Sequence, residues 1–179
     1  MIYTCCEETR RAAVEVHATL NGIDWLEVLD LDAPADSPRQ RTLMIRLLKP
    51  VPSGLTPENV RIEGGERIRH ISVEWLEIAS ESALSPLMTL AEQAFFTALS
   101  DADHVLLIRT SSSGDFSGYQ LKLVSGSSND APLTGFDPRL SSIAFTFKVE
   151  CPSDFDCADN TDCQQEPASS PAINYLARD

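Results

Sequence analysis

Between Cys6 and Cys151 this 179-residue chain has no cysteine. The five thiols sit at its ends: Cys5 and Cys6 at the start, then Cys151, Cys157 and Cys163 spaced C-x5-C-x5-C. If the middle folds as one unit, the thiols could meet in one place. Such a meeting suggests a clasp, by metal or disulfide, and not an active site. No stretch approaches the roughly 18–20 apolar residues of a membrane span. The opening residues lack the basic and apolar regions of a secretory signal, so the cytoplasm is the expected compartment at assembly. Thiols there stay reduced or bind metal more often than they pair. Positive charge is scarce too: 14 Lys and Arg against 27 Asp and Glu give a net charge of -13. That balance disfavours a sequence-independent grip on nucleic acid and an anionic membrane surface.

Catalytic groups are equally thin. The three histidines, His17, His70 and His104, fall in separate elements and make no H-E-x-x-H pattern. No G-x-S-x-G elbow surrounds Ser111, Ser112 and Ser113. Gly64-Gly65 is too short for a phosphate cradle and opens no helix, so it reads as a turn. No catalytic residue is expected, and the chain reads as a non-enzyme.

What is present is alternation. Seven strands are expected, at 23–31, 42–48, 60–63, 68–78, 103–110, 118–124 and 141–150. Leu43, Ile45 and Leu47 share one face of the second. Ile71, Val73 and Trp75 alternate with Ser72 and Glu74 in the fourth, and Ile143, Phe145, Phe147 and Val149 line one face of the last. One buried and one wet face mark antiparallel sheets. Trp25 and Trp75 read as core residues. Residues 7–18 form a short helix, after which Asn21-Gly22 punctuates the chain. Ser85-Pro86 reads as a helix start, and Leu87, Leu90, Ala91, Ala94, Phe95 and Ala98 recur at helical spacing behind it. A helix over 86–99 is expected, with that face packed on something.

The expected fold is mainly β: an Ig-like antiparallel β-sandwich of about seven strands over 1–150. The helix is inserted to cover one edge or end. The remaining 151–179 is an irregular Cys/Asp-rich tail, carrying Asp154, Asp156, Asp159, Asp162 and Glu166 with no basic residue before Arg178. The aspartate spacing does not follow an EF-hand loop. For Cys5, Cys6, Cys151, Cys157 and Cys163 three outcomes stand open: ligands to zinc or an iron–sulfur cluster, a disulfide, or free thiols. The C-x5-C spacing is looser than a standard zinc knuckle and matches no ferredoxin pattern.

Several segments together carry a resemblance. They are Cys5 to Arg11, Leu20 to Asp30, Gln40 to Leu43, Leu48 to Pro52, Asn59 to Ile68 and Ser112 to Ser117. Near the end come Gly135 to Leu140, then Phe147 to Cys157 with its Cys-Pro-Ser-Asp-Phe-Asp-Cys run, and Tyr175 to Asp179. The chain resembles the N-terminal region of baseplate assembly proteins, the baseplate J-like wedge components of phage-tail-like contractile injection systems. The resemblance implies a structural component that helps to assemble the wedge ring and couples triggering to sheath contraction. Its partners would be other baseplate subunits: wedge, hub and spike, and sheath-initiator proteins. Members are generally longer than this chain, so a further wedge domain is expected to follow the tail. The particle would be released or membrane-anchored, with no direct membrane insertion by this chain. Two rival readings come from the residues alone. One is a binding module that recognises a glycan or receptor through loops 111–117 and 127–136. The other is a small metal or redox protein built on the cysteines.

Overall fold

The computed structural model describes residues 2–4 and 7–147. In chain order they form β1 (Ile2–Thr4), α1 (Glu8–Val16), β2 (Ile23–Val28), β3 (Thr42–Leu47), β4 (Val60–Gly64), β5 (Val73–Ile78), α2 (Leu90–Thr97), β6 (Val105–Thr110), β7 (Tyr119–Gly126), β8 (Asn129–Pro132) and β9 (Ser142–Phe145). Every strand pairing is antiparallel. One sheet has five strands in the order β1-β2-β3-β6-β5; in the other, β7 pairs with β4, β8 and β9. Between the sheets lies one apolar core. Leu26, Val28, Leu43, Ile45, Leu106 and Ile108 come from the first sheet; Ile62, Leu121, Leu123, Ile143 and Phe145 come from the second, joined by Phe147 just past β9. This is the antiparallel sandwich that the alternation implies, and Ile143, Phe145 and Phe147 share a face as read.

The five-stranded sheet is buried on its other face as well. Met44, Val105 and Leu107 point away from the sandwich into a second core with Leu29, Ala79, Met88 and Phe96. All six residues of β6 are buried. A strand covered on both faces reads as a continuous apolar run, as Val-Leu-Leu-Ile does here. The covering layer comprises a 3-10 segment (Ala79–Leu84) and α2. The helical insertion therefore lies over a sheet face, where the sequence pattern pointed to an edge or end. An apolar sheet face cannot be left wet, and this layer is what covers it.

Register shifts correct the fourth expected strand. Its ladder begins at Val73, five residues after the start read from the pattern, and a bulge falls between Val73 and Trp75. An added residue reverses the facing of everything beyond it. Val73 thus packs on the inter-sheet core, while Trp75 packs on the second core. A like shift between Ile23 and Trp25 turns Trp25 to the same side. Both tryptophans are half-buried against the second core, not part of the buried core itself, and lie on the face that strict alternation denies them. β1 and β8 are too short and too polar at their margins to stand out in the sequence.

α1 falls inside the expected 7–18. Its last turn carries no basic residue. Lys49 supplies the charge from afar, its Nζ donating to the Val14 carbonyl at 2.6 Å and the Leu20 carbonyl at 2.8 Å. Arg10 pairs with Asp137 at 2.7 Å, Arg11 with Asp24, and Arg139 with Glu7 at 3.0 Å.

Candidate assembly surface

α2 begins at Leu90, not near Pro86. Ser85 does not cap it; its Oγ accepts the Leu87 N–H at 3.2 Å and closes a local turn. The cap is Thr89. Its Oγ1 accepts the Glu92 N–H at 3.2 Å, and Glu92 Oε2 accepts the Thr89 N–H at 2.9 Å. This reciprocal pair satisfies two of the helix's free donors. Thr-x-x-Glu is visible in the sequence, but Ser85-Pro86 offers a rival start.

Glu92 is the only charged residue between Ser82 and Ser100, and its side chain is 1% exposed. It faces inward. Arg109 of β6 meets Glu92 Oε1 through its terminal nitrogen, donates from Nε to Thr42 Oγ1 at 3.0 Å, and lies 4.9 Å over the Trp75 ring. Ser37 Oγ donates to Glu92 Oε1 at 2.7 Å. One carboxylate thus ties the helix to β6, to the loop after β2 and to its own N-terminus. A buried pair is tolerable only when the remaining hydrogen bonds are also made, as they are here.

Within 86–99 the buried positions are Met88, Glu92 and Phe96, spaced by four. The expected buried stripe is therefore wrong by one residue. Leu87, Leu90, Ala94, Phe95 and Ala98 face solvent, and Ala91 is half-buried. Leu90 is 83% exposed, and Leu84, at the end of the 3-10 segment, is 92% exposed. A surface helix ordinarily shows its charges to water and its apolar stripe to the core. α2 buries its only carboxylate and presents leucine, alanine and phenylalanine. Each exposed leucine forgoes about 1.5–3 kcal/mol of burial. An uncharged helix face of this kind is a candidate contact surface.

The opposite layer ends differently. Asp115 accepts the backbone N–H groups of Arg67 at 2.8 Å, Ile68 at 3.0 Å and Ser117 at 2.9 Å. The Ser117 hydroxyl, first among these donors, holds the Asp115 carboxyl well below the usual carboxylate range. Tyr119 closes the same corner, its hydroxyl donating to the Ile68 carbonyl at 2.7 Å. Gly65 here has a φ of +82°, and a Cβ on it would lie 2.1 Å from the Ile68 carbonyl oxygen. Gly64 thus ends β4, paired with Tyr119, and Gly65 leads into the bend that follows, not the two-glycine turn read from the sequence. In loops 111–117 and 127–136, Phe116 is exposed and Phe136 is buried. One exposed ring is not the aromatic platform a glycan reader needs.

Cys5, Cys6, Cys151, Cys157 and Cys163 lie outside the described residues, as does the tail. Among the described residues, no group of three or more His, Cys, Asp or Glu is placed to hold a metal, and no helix is long and apolar enough to cross a membrane. His17 accepts the Thr19 and Leu20 N–H groups, His104 Nδ1 lies 3.2 Å from the Leu47 carbonyl, and His70 is exposed.

A two-sheet antiparallel sandwich, with a helical layer over one sheet face, is the class of fold to which this chain belongs. The chain belongs to the family of phage baseplate assembly proteins, matching their N-terminal domain over residues 1–145. That membership gives it a structural role in a phage baseplate, among other baseplate subunits. No curated protein matches it. No solved structure does either.

Proposed function

We propose that this chain is a wedge component of a phage-tail-like contractile injection system, and that a neighbouring baseplate subunit packs on the outward face of α2. In this role it helps to assemble the wedge ring and to couple triggering to sheath contraction. The observation that carries the reading is the inverted helix: Leu84, Leu87, Leu90 and Phe95 are exposed while Glu92 is buried. The test is a Leu87→Asp/Leu90→Asp variant expressed in the native host. The expected result is a protein with unchanged circular dichroism that no longer enters sheathed particles. Normal particle assembly by the variant would sink the reading.

The five cysteines keep their proposed role as a clasp between the two ends. Its support is that the described ends approach one another: the Tyr3 hydroxyl donates to the Thr146 carbonyl at 3.1 Å. Elemental analysis and thiol titration of the native protein decide among zinc, an iron–sulfur cluster, a disulfide and free thiols.

A further inference from the structure

Among the described residues, nearly every arginine has a carboxylate partner: Arg10, Arg11, Arg39, Arg41, Arg46, Arg61, Arg109 and Arg139 are all ion-paired. Lys122 pairs with Glu63, and Lys49 is taken up by backbone carbonyls. Arg67 and Arg69 have no carboxylate partner among the described residues. They stand exposed on one loop with His70, and Ile68 between them is also exposed. The loop is held in place: Asp115 binds the Arg67 and Ile68 N–H groups, and Tyr119 binds the Ile68 carbonyl. Beside it Phe116 is 57% exposed. This corner therefore offers two arginines on a held backbone beside an exposed ring, with the Asp115 carboxylate turned onto the loop's own N–H groups, on a protein otherwise strongly negative.

The last described residue lies at the same corner. The Phe147 ring packs against that of Tyr119, centroid to centroid 4.9 Å. A Cβ on Gly114, next to Asp115, would lie 2.3 Å from the Phe147 ring. Beyond Phe147 come Glu150, Asp154, Asp156, Asp159, Asp162 and Glu166, with Phe155 among them and no basic residue from 149 to 177. Asp154 is seven residues on, a reach of about 23 Å for an extended chain, ample to double back on Arg67.

We infer that the acidic segment 150–166 of this same chain docks on the Arg67, Arg69 and His70 loop, with Phe155 against Ile68 and Phe116. Tethering explains why exposed ion pairs suffice. Each is worth little alone, but a short link raises the local concentration of the partner to the millimolar range. The pairing should weaken in salt, because exposed charges are screened over about 8–10 Å at ordinary ionic strength. It is independent of the α2 face, which lies over the far side of the five-stranded sheet.

The test uses the full chain carrying Arg67→Lys and Arg69→Lys, treated with a zero-length carbodiimide and mapped by mass spectrometry. Lys122 and Glu63 supply the internal control, since their contact reports that the sandwich is folded. The expected result is a coupled monomer joining position 67 or 69 to a carboxylate within 150–166, lost at about 1 M salt and in Asp154→Asn/Asp156→Asn. Coupling at the control pair with none to the segment would overturn the inference. So would coupling found only in covalent dimers, which would make the occupant another copy.

Discussion

At the residue scale, Asn21 shows how much one side chain can organise. Its Oδ1 accepts the N–H groups of Gly22 at 2.8 Å and Lys49 at 2.9 Å, and its Nδ2 reaches the carbonyls of Lys49 and Pro50. Its backbone accepts from Asp137 and donates to Gly135. Next to it, a Cβ on Gly22 would lie 2.7 Å from Leu140 Cβ. Asn-Gly looks like punctuation in the sequence; in the fold it joins three distant segments. Asn21→Leu removes these side-chain bonds and leaves buried backbone groups unsatisfied. The expected loss is about 2–4 kcal/mol, at roughly 1–3 kcal/mol per orphaned group, measured by urea unfolding. A loss under about 0.5 kcal/mol, the size of an ordinary surface substitution, would refute the hub role. The Arg10–Asp137 and Arg139–Glu7 pairs tie the same regions together. Both Cys5 to Arg11 and Gly135 to Leu140 carry the family resemblance, but nothing local says that they touch.

At the element scale, α2 is a latch built from polar contacts over an apolar seat. Phe96 fills the seat, while Glu92 reaches Arg109, Ser37 and Thr89. Glu92→Ala leaves Arg109 buried without its partner, for an expected loss of about 3–5 kcal/mol. Hydrogen exchange of α2 and the Ala79–Leu84 segment would rise before that of β7 and β9. Uniform protection across all elements would show that the ion pair does not latch the helix. The helix was legible as a helix, because apolar residues recur at the right period. Which face it buries was not. The uncharged run from Ala83 to Ala91 offers two apolar stripes one residue apart, and only Arg109, placed opposite by the β3–β6 register, decides between them.

At the scale of the whole molecule, acid should loosen the fold. Arg10 beside Asp137 holds that carboxyl below its ordinary value, and Ser117 with neighbouring backbone donors does so for Asp115. A depressed folded pKa means that the unfolded chain takes up protons first. The stabilisation is complete above the unfolded value, about 3.9, and drains away as pH falls from there through the folded values. Glu27, raised by burial, acts in the opposite sense just above its own ordinary value. The expected result is a urea midpoint that falls steeply below about pH 4, less steeply in Asp137→Asn. Equal slopes for the two proteins would refute the assignment.

Much of this protein was determined by its sequence alone. Period-two alternation with one apolar face specifies antiparallel strands, and enough of them to require two sheets, since an apolar sheet face must be covered. The core faces of β3 and β9 follow directly, and the family is carried by short segments along the chain. Tertiary structure alone decided where facing changes. Bulges at Ile23/Trp25 and Val73/Trp75 turn both tryptophans over, because one extra residue reverses a period of two and no local signal marks it. It also decided that α2 shows its apolar side to solvent. That choice rests on a charge pair between residues 17 positions apart, a contact the chain makes only once β6 stands beneath the helix.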